Sequence, residues 1–252
     1  MSALDQVVSQ ARRGAVGLLD ALLPPRCLGC RAPVDRQGLL CAGCWGGINF
    51  IVPPFCAVCG LPFPHDEGAE ALCGACLRKR PAYHRARAAA VYDEGCRSLL
   101  LGFKHGDRTE AASGLGRWLH QTGAELCREA RLIAPVPLHR RRLWQRRFNQ
   151  SALLAQALGR AAGLEVACDL LIRKRATKSQ RGLSAAERRR NVRGAFAVRE
   201  RHRRRLAGAH VMLVDDVFTT GATVEEAAKA LGRAGAGRVD VLTLARVVRA
   251  RS

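Results

Sequence analysis

Four closely spaced cysteine pairs restrict the fold of this chain more than any other feature of its sequence. The pairs are Cys27/Cys30, Cys41/Cys44, Cys56/Cys59 and Cys73/Cys76. Each pair encloses two residues, so one tight turn can direct both thiolates at the same ion. Four thiolates complete a tetrahedral Zn²⁺ shell, and a segment too small for its own core then folds around the metal. The spacing predicts two structural zinc sites in residues 25–80, with no coordination position left for catalysis.

The spacing leaves open how the four pairs share the two ions. Ten residues separate the pairs of the first half and thirteen those of the second, a repeat that resembles a double zinc ribbon. Sequential pairing is the simplest arrangement, and the alternative is a cross-braced one, first pair with third and second with fourth. We interpret His65 as a solvated loop residue, because eight thiolates already fill two sites. The nearby aromatic residues are expected to cover the metal cores: Trp45, Phe50, Phe55 and Phe63.

The remaining cysteines and the N-terminal segment help to predict the cellular compartment of the protein. Cys96, Cys127 and Cys168 fall in apolar or helical patterns and are predicted to be small core residues. Metal-type cysteine spacing without an export signal predicts a cytoplasmic location. Residues 1–24 predict an amphipathic helix, since Asp20 interrupts the apolar core that a signal peptide needs. No window approaches the roughly 20 apolar residues of a spanning helix, which argues against a transmembrane protein.

After Pro81 the pattern changes to alternating strands and helices. Apolar runs predict buried strands at 88–92, 131–136, 210–214 and 238–244. One face of a predicted helix carries Leu153, Leu154, Ala157 and Leu158. Such alternation predicts an α/β domain over residues 85–252, with a mostly parallel sheet flanked by helices.

The stretch from His210 to Thr223 is the most informative part of this domain. An apolar strand runs into Asp215 and Asp216, and the loop 219–223 then opens a helix predicted to begin near Val224. Such a loop lies at the carboxyl end of a strand, where open α/β sheets bind their ligands. Backbone N–H groups, threonine hydroxyls and the positive helix end favour a phosphate there, and the two carboxylates can accept hydrogen bonds from a ribose diol. The pattern predicts a site for a 5-phosphorylated ribose.

Two acids followed by Thr-Thr-Gly-Ala-Thr resemble the phosphoribosyl pyrophosphate (PRPP) signature of type I phosphoribosyltransferases. Segments of the ComF family, competence protein F, resemble residues 103–107, 134–142, 147–155, 175–184 and 191–196 of this chain, and also its cysteine module. The resemblance covers nearly the whole chain with its segments in the same order. It implies a type I phosphoribosyltransferase-like fold behind a double zinc ribbon, with PRPP and Mg²⁺ as ligands and a link to natural transformation.

The resemblance also implies roles for particular residues. Asp215 and Asp216 would be the catalytic pair and would hold the ribose hydroxyls, directly or through Mg²⁺. The full PRPP-binding set would be Asp215, Asp216, Val217, Phe218, Thr219, Thr220, Gly221, Ala222 and Thr223. The leaving pyrophosphate would meet a loop formed by Pro137, Leu138, His139, Arg140 and Arg141. Lys104 is a further candidate cation, and residues 177–184 are expected to form a lid that shields the reaction from water.

One position departs from the family pattern. The chain reads Arg146-Arg147-Phe148-Asn149 where the family usually reads Arg-Gly-Phe-Asn. A side chain at Arg147 therefore stands where a positive φ is expected, which puts the local turn in question.

Positive charge is concentrated in one region of the chain. The formal net charge is +21, and residues 128–205 hold 22 Lys and Arg against five Asp and Glu, a net charge of +17. Such charge attracts phosphate, in a metabolite or in a polynucleotide, although a bias towards arginine codons is an alternative explanation. Three functions follow: phosphoribosyl transfer to an acceptor that the sequence does not identify, single-stranded DNA binding alongside competence proteins, or PRPP sensing without turnover.

Overall fold

The computed structural model describes residues 24–105, 111–177 and 182–248, and a five-stranded parallel sheet forms its centre. The strands of this sheet are β1 (Arg85–Val91), β2 (Leu132–Pro135), β3 (Glu165–Val166), β6 (His210–Phe218) and β7 (Arg238–Arg246). Their order across the sheet is β1-β7-β6-β2-β3, and every neighbouring pair is parallel. The predicted α/β class with a mostly parallel sheet is confirmed.

Helices follow most strands and cover both faces of the sheet. In the described residues they are α1 (Ala42–Gly46), α2 (Gly74–Arg78), α3 (Glu94–His105), α4 (Ala111–Thr122), α5 (Ala124–Glu129), α6 (Arg140–Arg146), α7 (Gln150–Ala162), α8 (Ala185–Val192), α9 (Arg203–Leu206) and α10 (Ala222–Arg233). α4 and α7 cross at Gly116, where an added Cβ would lie 2.5 Å from the Cβ of Ala157. No helix in these ranges is long and apolar enough to span a membrane.

A small antiparallel unit stands apart from the main sheet. It pairs β4 (Leu171–Arg173) with β5 (Phe196–Val198), and α8 lies between these strands in the chain. Both β5 and α8 pack against α10, the helix that follows the predicted phosphate loop. This unit, residues 171–198, is called the hairpin unit below.

Each face of the sheet has its own core, and each zinc-ribbon half joins one of them. Val211 and Leu213 point to the core that includes Cys56 and Cys76 of the second half. Met212 and Val214 alternate to the other face, whose core includes Leu28 and Ile48 of the first half. The cysteine module and the α/β region are therefore packed together through shared apolar residues.

The observed boundaries differ from the predicted ones at the most important strand. β6 continues to Phe218, beyond the predicted end at residue 214, because its register with β7 extends to Phe218 opposite Arg246. The following helix begins at Ala222 rather than near Val224, since Gly221 adopts a left-handed conformation that starts it earlier. Asp215 and Asp216 are thus held by strand backbone rather than by a loop.

The predictions for the three unpaired cysteines have a mixed outcome. Cys96 and Cys127 are buried, as predicted, but the prediction for Cys168 was wrong because it is exposed. Cys168 lies in a turn just after β3, where its sulfur faces the amide of Gln156 at 3.7 Å. The N-terminal helix was predicted over residues 1–24, and all but the last of these lie outside the described ranges.

Candidate functional site

The paired cysteines converge into two clusters, each built from consecutive pairs. The first contains Cys27, Cys30, Cys41 and Cys44, and the second contains Cys56, Cys59, Cys73 and Cys76. In each cluster the four sulfur atoms lie within 4.8 Å of one another, and one Sγ–Sγ distance in each is 3.6 Å. Zinc–sulfur bonds of about 2.3 Å give a tetrahedron with edges of about 3.8 Å, so both donor sets fit Zn²⁺. The pairing is sequential, and His65 is exposed outside both clusters.

Backbone amides support the first cysteine of each cluster. The N–H of Cys41 donates to Cys27 Sγ at 3.2 Å, and the N–H of Cys73 donates to Cys56 Sγ at 3.3 Å. Such hydrogen bonds stabilise a thiolate and orient it towards the metal. The clusters have the chemistry and local geometry of closed structural sites.

Aromatic side chains near the clusters connect the module to the α/β region. Trp45 packs against Phe50 with tilted rings whose centroids lie 4.8 Å apart, and both pack edge-on against Trp118 of α4. Phe55 lies under the guanidinium of Arg87. These rings form part of the contact between the cysteine module and the α/β region, in addition to covering the metal sites.

The second cysteine cluster is joined directly to the end of β6. Arg246, at the end of β7, donates to the carbonyl of Cys59 and places its guanidinium 4.8 Å from the centroid of Phe218. The Phe218 ring also meets Tyr83 edge-on. A Cβ added to Gly221 would lie 2.7 Å from Phe218 Cζ. The zinc-ribbon knuckle therefore packs behind the loop that follows β6.

Gly221 fixes the conformation of that loop. Its φ of +74° lies in the left-handed region, which a glycine adopts without steric cost. The turn continues into α10, and the N–H of Ala222 donates to Thr220 Oγ1 at 3.4 Å. Open backbone amides at a helix start, with threonine hydroxyls beside them, form an anion-binding arrangement.

The two acids at the end of β6 differ in environment. Asp215 is buried and accepts a hydrogen bond from Ser151 Oγ at 2.9 Å. Burial, followed by the adjacent Asp216 carboxylate, raises the pKa of Asp215 to about 7. Asp216 is more open and forms an ion pair of 2.6 Å with Lys104 Nζ. Carboxylate oxygens and nearby hydroxyls are the donors that Mg²⁺ prefers, so this set fits that ion.

The start of α7 holds the surrounding parts in place. Asn149 caps the helix by accepting the N–H of Ser151, and its amide donates to the carbonyl of Val136 at 3.1 Å. Gln150 donates to the carbonyl of Lys104 at 3.2 Å and accepts from Arg146 Nη1 at 3.3 Å. Three consecutive residues thus connect the loop after β2, the end of α3 and the buried Asp215.

These elements enclose a cavity of about 450 Å³ at the carboxyl edge of the sheet. Of the predicted site residues, those that line it are Lys104, Pro137, Leu138, Asp215, Asp216, Val217, Thr219, Thr220 and Thr223. The lining residues that sequence reasoning missed include Arg142, Arg146, Ser151, Arg173 and Arg188. The structure therefore brings the acids, the threonine loop and the loop after β2 together.

Several predicted residues lie beside the cavity rather than on its wall. Phe218, Gly221 and Ala222 shape the loop from behind, where Ala222 is buried. His139 Nδ1 accepts the backbone N–H of Arg141 and so caps α6. Arg140 and Arg141 are exposed on the first turn of α6, while Arg142 faces the cavity. The cations of α6 that line the cavity, Arg142 and Arg146, thus follow the predicted loop rather than belong to it.

The segment expected to be a lid is only partly described, since residues 178–181 lie outside the described ranges. Gly182 lines the cavity, and Ser184 begins α8 with a capping box to Glu187. At the other end of this segment Thr177 accepts a hydrogen bond from Arg173 at 2.5 Å.

Arg147, at the position where the family usually has glycine, adopts a φ of +62°, so the expected positive φ is confirmed.

A larger cavity of about 1210 Å³ lies between the second zinc-ribbon half and β1. It contains none of the acids or threonines of the β6 loop, and its Arg87 is already paired with Glu125 at 3.3 Å. The larger volume therefore does not make this cavity the better candidate for the functional site. The chemistry of the lining residues favours the smaller cavity instead.

Comparisons with known proteins agree with this architecture. The sequence matches the double zinc ribbon domain over residues 18–77 and the phosphoribosyl transferase domain over residues 150–251. DNA utilization protein YhgH of Escherichia coli O157:H7 is 38% identical over 240 residues, spanning 90% of this chain and 99% of that protein. Competence protein F of Haemophilus influenzae is 33% identical over 228 residues, spanning 88% and 96%.

More distant similarities are also found. Competence protein ComFC of Bacillus subtilis is 24% identical over 216 residues, spanning 82% of this chain and 84% of that protein. A solved structure of glutamine PRPP amidotransferase from B. subtilis is 23% identical, with a TM-score of 0.39 and coverage of 57% of this chain and 30% of that one.

Fold, site and domain matches together define a phosphoribosyltransferase-like protein with an N-terminal double zinc ribbon. Within that class the chain belongs to the ComF family, that of competence protein F and YhgH.

Proposed function

We propose that the protein binds PRPP with Mg²⁺ in the cavity at the end of β6 and transfers its phosphoribosyl group to an acceptor. The observation that carries this proposal is the placement of Asp215 and Asp216 beside the turn at Gly221. Adjacent carboxylates suit the ribose hydroxyls, and the open amides of the turn suit the 5-phosphate. The basic residues Lys104, Arg142 and Arg146 suit the pyrophosphate.

The proposed reaction needs positioning and charge stabilisation rather than a protein nucleophile. A lone pair of the acceptor forms a bond to C1 of PRPP, while the C1–O bond breaks and its electron pair leaves with pyrophosphate. Arg142 and Arg146 would neutralise charge that develops on the leaving group. Mg²⁺, when bound by the acids and the ligand, would supply further positive charge there.

Calorimetric titration with PRPP and Mg²⁺ tests the site. The Asp215→Asn, Asp216→Asn double variant should lose binding, whereas Asp35→Asn, an exposed control, should bind as the unaltered protein does. Unchanged affinity in the double variant would refute the site. Pyrophosphate release with candidate acceptors then separates an enzyme from a sensor, because a sensor binds PRPP without turnover.

Single-stranded DNA binding is a second candidate function, favoured by one exposed aromatic residue. Trp144 on α6 has 89% of its surface exposed, and Arg140 and Arg141 are exposed on the same short helix. An aromatic face beside guanidinium groups can stack on an unpaired base while the charges hold phosphates. Relatives carry the names DNA utilization protein and competence protein.

The DNA candidate predicts retention of single-stranded oligonucleotides that weakens steeply with salt. Trp144→Ala should weaken binding by about 1–3 kcal/mol, whereas Trp45→Ala, on the zinc-ribbon side, should leave it unchanged. Equal affinities for both variants, or no binding at low ionic strength, would remove this function.

A further inference from the structure

Lys104 is paired with the more open of the two acids in the β6 cavity. Its Nζ lies 2.6 Å from Asp216 Oδ2, and each of the two side chains is only 18% exposed. The other carboxylate oxygen, Oδ1, accepts the backbone N–H of Val217 at 2.7 Å. Both oxygens of Asp216 therefore have a partner already, although the proposed function assigns this carboxylate to the ribose hydroxyls and Mg²⁺.

Lys104 differs in this respect from the other cations on the cavity wall, which are Arg142, Arg146, Arg173 and Arg188. Within the described part of the chain none of these arginines forms an ion pair with a carboxylate, whereas Lys104 does. Hydrogen bonds from Arg146 and Arg173 go instead to the uncharged side chains of Gln150 and Thr177. Lys104 is therefore the cation that any ligand of Asp216 must displace or accommodate.

The backbone of Lys104 is fixed, but its side chain is free to change partner. The Lys104 carbonyl accepts a hydrogen bond from Gln150 Nε2 at 3.2 Å, and the adjacent Phe103 is fully buried. Beyond the Cα atom, four methylene groups lead to a compact ammonium whose donors rotate. The ammonium can therefore move within the cavity while the end of α3 stays in place.

The Lys104 ammonium and Mg²⁺ compete for the same oxygen of Asp216. Mg²⁺ binds a carboxylate oxygen at about 2.0–2.1 Å, so the two positive charges would lie less than about 5 Å apart in a half-buried site. A metal ion that enters the unliganded cavity must also break an existing ion pair and give up water, which Mg²⁺ does reluctantly. PRPP changes this balance, because its pyrophosphate offers the displaced ammonium a new anionic partner.

We propose that Lys104 is a displaceable counter-ion that makes metal binding at Asp216 depend on PRPP. In the unliganded protein Lys104 competes with Mg²⁺ for this carboxylate. When PRPP and Mg²⁺ bind together, Lys104 leaves Asp216 and pairs with the pyrophosphate. This inference rests on the proposed PRPP function and adds regulation to the same site, in the form of a coupling between its two ligands.

Metal binding without PRPP tests the competition alone. Mn²⁺, which takes the same oxygen ligands as Mg²⁺, is titrated into the zinc-loaded protein, and the free ion is measured by electron paramagnetic resonance. Lys104→Gln should bind Mn²⁺ about fivefold or more tightly than the unaltered protein, because the competing charge is lost. The gain should disappear in the double variant Lys104→Gln, Asp216→Asn, which would locate it at this carboxylate.

Two further variants serve as controls. Lys104→Arg keeps a positive charge and should bind Mn²⁺ within about twofold of the unaltered protein. Lys79→Gln removes the same charge from an exposed lysine after α2 and should also leave Mn²⁺ affinity within about twofold. A folding defect in Lys104→Gln cannot imitate the expected result, because damage to the site weakens metal binding rather than tightening it.

The same substitution should have the opposite effect on PRPP. With Mg²⁺ at saturation, Lys104→Gln should weaken PRPP binding about tenfold in a calorimetric titration, because the pyrophosphate loses a charged partner. Lys104→Arg should recover part of this affinity, and Lys79→Gln should retain all of it. Tighter metal binding and weaker PRPP binding in one variant identify a counter-ion that changes partner.

The other outcomes overturn the inference in distinguishable ways. If Lys104→Gln leaves Mn²⁺ affinity unchanged or lowers it, Lys104 does not compete with the metal, and the inference is wrong whatever PRPP does. If Mn²⁺ binds more tightly but PRPP affinity does not fall, Lys104 only blocks Asp216, and its transfer to the pyrophosphate is wrong. If PRPP binds to neither protein, the proposed function fails and the dependence on PRPP fails with it, while the Mn²⁺ titration still decides the competition at Asp216.

Discussion

Asp215 occupies a position that disfavours its ionised form. The side chain is buried against Ser151 with the Asp216 carboxylate adjacent, and its pKa is raised to about 7. In the unfolded chain an aspartate titrates near about 3.9. The folded protein therefore holds a proton that the unfolded chain has released between these values, and stability falls as pH rises through that window.

Replacing Asp215 by Asn should remove this penalty. The variant should melt several degrees higher than the unaltered protein at pH 8, since the ionised carboxylate is lost, and the difference should shrink towards pH 4. Thermal unfolding without added Mg²⁺ measures it, with Asp35→Asn as the exposed control. A variant that is less stable at pH 8 would contradict the buried environment of Asp215.

Arg147 stores backbone strain beside the cavity. Its φ of +62° costs an L-residue roughly 1 kcal/mol relative to glycine. Arg147→Gly should therefore raise the free energy of unfolding by about 1 kcal/mol. Arg147→Ala is the matched control, because it removes the same side chain but keeps the strain. Denaturant unfolding that ranks alanine at or above glycine would show that strain is not the cause.

At the scale of elements, α7 connects the parts of the cavity. Asn149, Gln150 and Ser151 bond to Val136, Lys104 and Asp215, so one helix start positions the loop after β2, the end of α3 and an acid of β6. The family resemblance included this segment without giving it a role. These three partners could not be predicted from the local sequence around α7, because each of them lies outside that stretch of the chain.

Asn149→Ala should loosen this connection. It removes a helix cap and a hydrogen bond to Val136, and we expect a loss of about 1–2 kcal/mol in stability together with weaker PRPP binding. Asn49→Ala serves as control: Asn49 is exposed and its side chain donates to Asp93, so the change should alter stability by about 0.5 kcal/mol or less. Equal effects of the two variants on PRPP affinity would contradict the positioning role.

The features predicted well from sequence are those encoded in a short stretch. The cysteine knuckles and the strand, turn and helix around Gly221 are local patterns, so their identity was predictable. The arginines of the hairpin unit were not, because Arg173 and Arg188 reach the cavity only through the pairing of β4 with β5 and the packing of α8 on α10. The extension of β6 to Phe218 likewise depends on β7, which sequence periodicity does not reveal.

At the scale of the whole molecule, the zinc ribbon and the transferase-like region act as one packed unit. Cysteines of the second cluster share a core with Leu213 and Val241 of the sheet. Arg246 connects the carbonyl of Cys59 to the ring of Phe218, which supports Gly221. The second metal site therefore stands directly behind the predicted phosphate loop.

Loss of the two metal sites should have unequal consequences. Cys76→Ser and Cys30→Ser should each release zinc from one cluster, measured with a chelating dye, but Cys76 is buried in the shared core and Cys30 is exposed. PRPP affinity should fall about tenfold or more in Cys76→Ser and change little in Cys30→Ser, since only the former disturbs the support of Gly221. Identical effects on PRPP binding would argue against this connection.

A crystal structure with PRPP and Mg²⁺ tests the central claim most directly. The 5-phosphate should lie within hydrogen-bond distance of the backbone amides and hydroxyls of residues 219–223, with the ribose hydroxyls at Asp215 and Asp216 and the pyrophosphate towards Arg142. PRPP bound elsewhere, for instance in the larger cavity beside β1, would contradict the account.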